Sequence, residues 1–172
     1  MSFVLVLTPL VLFVAILLFL LPVLARLLRQ CHLNDVTPEW LESFSPHAYQ
    51  PMEFLLAEED FDFLMRQPGF EASLQKKLKR ERILIFQQYL HRLISDFNRL
   101  DVYARYLIAQ SQVDQSNVLA RLVWLRIRFS FTVLRVEASL LLSYFGYQPR
   151  LVSQAIARLD EMNGYVRAIA AA

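Results

Sequence analysis

The sequence predicts an all-α protein: an N-terminal transmembrane helix followed by an antiparallel three-helix bundle with long, coiled-coil-like helices. Three observations carry that expectation. Residues 3–25 hold no charged side chain. Residues 86–107 place Phe86, Leu90, Leu93, Phe97, Leu100, Ala104 and Leu107 at alternating steps of four and three. That is the a/d seam of one long helix packed along another. Finally, the 172 residues include only 3 glycines, whereas turn-rich sheets need many.

The N-terminal run is long enough for a membrane span, since about 20 apolar residues cross the ~30 Å hydrocarbon core. Pro9 and Pro22 lie towards its two ends, where neither need break it. A cleaved signal peptide is the competing reading. Against it, no Lys or Arg precedes the run, and the run exceeds the ~7–15 residues of a signal-peptide core. Arg26 and Arg29 flank its C-terminal side. The positive-inside rule then puts the N-terminus outside and the following domain in the cytoplasm, at the plasma membrane if the chain is bacterial. The expected organisation is an anchor over 1–29, an acidic, aromatic-rich collar over 30–70 and a three-helix bundle over 71–172.

Pro38, Pro46, Pro51 and Pro68 break the collar into short pieces. Thr37-Pro38-Glu39 is a helix start, with Thr as cap and Pro at the first helical position. Residues 47–51 are expected to be extended. Glu58, Glu59 and Asp60 suit the N-terminus of a second short helix, whose apolar face is Phe61, Leu64 and Met65. Pro68-Gly69 stops it. The many aromatics, Trp40, Phe44, Tyr49, Phe54, Phe61, Phe63 and Phe70 among them, are expected to pack against the bundle.

In the bundle the expected helices are 71–111, 117–145 and 149–163. The second carries Val118, Leu122, Leu125, Phe129, Val133, Val136, Leu140 and Tyr144 at helical spacing. Residues 125–133 also alternate strictly, the period of a strand. A lone strand is not stable in water, so the helix is preferred. The third helix carries Leu151, Val152, Ala155, Ile156, Leu159 and Met162 on one stripe, and Asn163-Gly164 is expected to end or kink it.

Charge is unevenly distributed. Residues 30–75 carry one base against nine acids, a net −8, and residues 76–172 carry fifteen bases against seven acids, a net +8. Lys76, Lys77, Lys79, Arg80 and Arg82 form a basic run that suits anionic lipid or a protein partner. Glu58, Glu59, Asp60 and Asp62 form a candidate acidic latch for the same run. Both clusters also fit plain solvated helix faces. No aromatic interleaves the basic run and no nucleic-acid motif surrounds it, which disfavours nucleic acid as a partner.

Catalytic signatures are missing from the sequence. It has no Gly-rich phosphate loop, no HExxH, no CxxC and no GxSxG. Cys31-His32 falls short of the three or four ligands of a metal site. The collar acids lack the spacing of a calcium loop. Neither Glu81 nor Glu137 is followed by a His three residues on, as a di-iron bundle needs. His91 borders the seam and could serve as a general base, but no partner to tune it stands out. Glu137, beside the seam, is expected to pair with Arg99 or Arg105 if buried. These readings predict no catalytic, cofactor or metal site. The expected function is a membrane-anchored helical adaptor or scaffold subunit, with the lipid bilayer and either a protein partner or a second copy as its contacts. The alternative is a sensory or regulatory membrane module signalling through its bundle.

Overall fold

The computed structural model describes residues 25, 37–55, 63, 66, 72–110, 116–143 and 152–171. The chain divides into two compact units, Met1–Gln30 and Cys31–Ala172. Only Ala25 of the first unit is described. Among the described residues of the second unit there are three long helices: α3 (Ala72–Gln110), α4 (Ser116–Ser143) and α5 (Val152–Ala170). Two short ones are described before them, α1 (Pro38–Ser43) and α2 (Pro51–Phe54), with a 3-10 turn at Pro46–Tyr49 between them.

The short elements follow from their prolines. Thr37 is extended, and its hydroxyl accepts a hydrogen bond from the Trp40 N–H at 3.3 Å, with Pro38 opening the helix behind it. Pro46 and Pro51 open the next two turns in the same way. The extended conformation expected for residues 47–51 is therefore corrected. Proline fixes φ near −65°, which suits the first position of a helical turn as well as it suits extended chain. Of the collar aromatics, Phe44 and Tyr49 are buried and Trp40 is half-buried, but Phe54 and Phe63 are exposed. Met52 takes the inward position of α2, and Phe54, two residues on, points to the other side of the helix. Phe61 and Phe70 lie outside the described residues.

Helix α3 is 39 residues long, about 58 Å at 1.5 Å per residue. Phe86, Leu90, Leu93, Phe97, Leu100 and Ala104 are all buried. The last seam position departs from expectation: Leu107 is half-buried, and Ile108 is buried in its place. A straight helix has 3.6 residues per turn and drifts about 20° per heptad against a 3.5-residue repeat. After three heptads the inward face has moved on, and Phe97, Asp101, Ala104 and Ile108 complete the stripe.

Helix α4 buries Leu122, Leu125, Phe129, Val133, Val136 and Leu140, so the helical period wins over the alternating one in residues 125–133. Among the described residues no strand is present. The Phe97 and Phe129 rings stack, centroids 3.7 Å apart and planes within 1°. That stack and the ion pair between Asp101 and Arg126 fix α3 and α4 as antiparallel, because a step forward on one is a step back on the other. Helix α5 packs on both long helices, and also on the 3-10 turn and α2. It buries Val152, Ala155, Leu159, Met162 and Val166.

The expected stop or kink at Asn163-Gly164 is also corrected, since α5 runs on to Ala170. Gly164 is exposed, with open space where a Cβ would stand. A helical glycine costs about 1 kcal/mol against alanine. Burying Val166 two residues further on contributes about 1.5–3 kcal/mol and outweighs it.

The single-pass membrane localisation, with its transmembrane helix, is corrected as well. Among the described residues no helix is long and apolar enough to cross a membrane. Helix α4 has the length, but Arg121, Arg126, Arg128, Arg135 and Glu137 interrupt it. Each such charge costs about 2.5–3.5 kcal/mol at a bilayer centre. Residues 3–24, on which most of that expectation rested, lie outside the described residues.

Candidate functional site

A cleft of about 570 Å³ opens between the α1–turn segment and α3. Its lining combines Trp40, Phe44 and Tyr49 from the first with Tyr89, His91, Arg92, Asp96 and Arg99 from the second. Tyr49 is 2% exposed, and its hydroxyl donates to Oδ2 of Asp96, itself buried. The other carboxylate oxygen lies 3.6 Å from Nη1 of Arg99. The Arg99 guanidinium in turn sits over the Trp40 ring, 5.7 Å from its centroid. Trp40 and Phe44 pack ring to ring at 4.9 Å.

Burial pushes the Tyr49 phenol well above its usual range, and the Asp96 carboxylate adds to the shift. The Arg92 guanidinium pulls the other way. The phenol is therefore held neutral as a donor. Tyr49 and Arg99 engage the two Asp96 oxygens, and His91, which also lines the cleft, is exposed.

Arg167 fastens α1 to the bundle. From α5 its Nη2 donates to the carbonyls of Leu41 at 3.0 Å and Phe44 at 3.2 Å, and its Nε donates to Oδ1 of Asn163 at 3.3 Å. Leu41 and Phe44 lie at the C-terminal end of α1, where helical carbonyls lack intrahelical partners. A cation there also meets the negative end of the helix dipole.

A second polar cluster lies inside the bundle. Asp101 is 1% exposed, and its Oδ2 accepts from Arg126 of α4 and from Nε of Arg105 at 3.2 Å. Arg105 and Arg99, expected as partners of Glu137, thus pair with Asp101 and Asp96.

The third feature is the outer face of α4. Leu119, Val123, Trp124, Ile127 and Phe131 are all exposed, Trp124 at 57% and Phe131 at 62%. At 100° per residue they fall on one arc, opposite the buried stripe of Leu125, Phe129 and Val136. Arg121, Arg128 and Arg135 recur every seven residues along one edge of that arc. Across that edge Arg121 meets the Tyr165 ring at 5.2 Å, and Arg128 lies 3.7 Å from Oε1 of Glu161, both on α5.

Of the residues singled out from the sequence, Lys76, Lys77, Lys79 and Arg80 are exposed near the start of α3, and Arg82 is half-buried. Glu58, Glu59, Asp60 and Asp62, with Cys31 and His32, lie outside the described residues. Among the described residues no group of three His, Cys, Asp or Glu side chains is placed to hold a metal ion. Asp96, Asp101 and Arg167 were not anticipated. A signal for the first two was present, since each acid directly neighbours a seam residue, Phe97 or Leu100. Nothing local marks Arg167, whose acceptors are more than 120 residues away in sequence.

The fold and these sites define an all-helical bundle with an attached aromatic collar. Compared with known proteins, the chain matches no family model, no curated protein and no solved structure.

Proposed function

We propose that this chain is a non-catalytic helical adaptor or scaffold subunit that receives an amphipathic, acid-flanked helix of a partner protein on the outer face of α4. The observation that carries this reading is the second apolar face of α4. A helix apolar on two opposite faces is suited to burial on both. Exposed aromatic side chains beside arginines are the residue types that dominate protein–protein interfaces. The arginine edge selects the partner's charge where the two helices meet. A second copy is a poorer occupant, since Glu137 is the one acid that α4 has to offer those arginines.

The test places a photo-crosslinking amino acid at position 124 of the full chain in its native cells, with position 154 on α5 as control. The expected product joins position 124 to an amphipathic helical segment of another protein carrying acids along one flank. Arg128→Glu should reduce its yield. A crosslink to a second copy or to lipid would overturn the reading, as would equal yields from both positions.

A further inference from the structure

The cleft between the α1–turn segment and α3 stands apart from the outer face of α4, and its chemistry differs. It is about 570 Å³, within the ~300–1,000 Å³ usual for small-molecule sites. Its walls are aromatic, with Trp40, Phe44 and Tyr89 on the two sides. Its polar groups are unevenly matched. Among the described residues of the lining, Asp96 is the one carboxylate, and Tyr49 and Arg99 engage its two oxygens. Among the same residues the arginines number two, Arg92 and Arg99, and the Arg99 Nε is buried without a hydrogen-bond partner. A guanidinium carries five N–H donors, more than these contacts use. The cleft therefore has a surplus of donors and of positive charge beside flat apolar walls. A ligand that fits both needs a planar apolar body and an anionic acceptor at one end.

We propose that this cleft binds a small planar monocarboxylate, its ring against the aromatic walls and its carboxylate received by Arg92 beside Arg99. Guanidinium suits this task because its planar fork meets a carboxylate through two parallel hydrogen bonds. Trp40 is held for ring contact by its packing with Phe44 and by the Arg99 cation over its face. Arg92 is exposed and its guanidinium lies beside the Tyr49 hydroxyl at the cleft, while Arg99 is paired with Asp96 and sets the local field.

The probe is naphthalene-2-carboxylate, titrated into the isotope-labelled full chain, with naphthalene-2-carboxamide as its neutral counterpart. Resonances of the Trp40 indole N–H and of the Arg92 and Arg99 side chains report on the cleft, and those of Trp124 serve as control. The expected result is saturable shifts confined to the cleft, with a Kd of roughly 0.1–1 mM for a ligand of this size. The carboxamide should bind roughly tenfold more weakly, having lost one charge-assisted contact. Arg92→Gln, at an exposed position, should abolish the difference between the two probes while the Trp124 resonances stay in place, showing that the bundle is still folded. Equal affinity for both probes in the unaltered chain would overturn the proposal. So would shifts at Trp124 matching those at Trp40, or a preference for the anion that survives Arg92→Gln.

Discussion

Tyr49 shows how one side chain couples the collar to the bundle. It comes from a four-residue 3-10 turn, yet its hydroxyl donates to a buried carboxylate 47 residues away. A hydrogen bond to a charged group contributes about 1.5–3 kcal/mol. Tyr49→Phe should therefore lower stability by about 2 kcal/mol in denaturant melts, with Arg99 left as the nearest cation to Asp96. The phenol also sets a pH dependence. Its folded pKa is raised above the ordinary 10.0 by burial and by Asp96, so the folded state holds this proton more tightly than the unfolded chain. Stability from this group is complete below pH 10 and declines as pH rises towards the folded value. Tyrosinate absorbance should show a component that ionises above the ordinary range, and Tyr49→Phe should reduce that component. A mutant with an unchanged alkaline titration would refute the assignment. Little of this was legible in the sequence. Tyr49 reads as one collar aromatic among many, and the acid that makes it distinctive is supplied by tertiary packing.

At the scale of elements, what could be read was what a local period encodes. The seam of α3 and the stripe of α4 are visible as runs of apolar residues, and burial follows them residue by residue from Phe86 to Ala104 and from Leu122 to Leu140. Where the reading failed, a non-local term had won. Apolar burial beyond Gly164 carries α5 past a local stop signal, and the accumulated drift of α3 replaces Leu107 by Ile108. The docking of α1 is of the same non-local kind. It is only six residues long and is far too short to be stable alone. Arg167 supplies the two hydrogen bonds that its terminal carbonyls lack. Arg167→Met keeps the apolar stem and removes the donors. It should leave the melting of the bundle nearly unchanged, while amide exchange in residues 38–50 speeds up by at least about tenfold, equivalent to 1.4 kcal/mol of local protection. Arg167→Lys should rescue this only in part, because one ammonium cannot reproduce the planar fork. Exchange in 38–50 that stays as slow as in the unaltered chain would show that apolar contacts alone hold α1.

Over the whole molecule the question is what fixes one alignment of long helices whose apolar stripes repeat. A slide of α4 along α3 by seven residues would still bring apolar side chains together, because both stripes recur at close to that interval. Buried charge does not tolerate such a slide. Asp101 is 1% exposed, and Arg126 is its cross-helix partner. Moving α4 by a heptad would leave that carboxylate with Arg105 alone, a residue of its own helix. We infer that this pair sets the register of the bundle, and the inference rests on the asymmetry between breaking such a pair and replacing it. Removing one partner of a buried pair costs about 3–5 kcal/mol, whereas replacing both by apolar side chains is often neutral or stabilising. Arg126→Met should fall near the lower end, about 3 kcal/mol, because Arg105 still reaches Asp101. The doubly substituted Asp101→Leu/Arg126→Met chain should recover most of that loss in denaturant melts. Its recovered stability should come with lost uniqueness. Spin labels at exposed positions 88 and 135 should give one narrow distance distribution in the unaltered chain and a broader or split one in the double variant. A double variant that is both stable and narrowly distributed would assign the register to the stacked Phe97 and Phe129 rings instead.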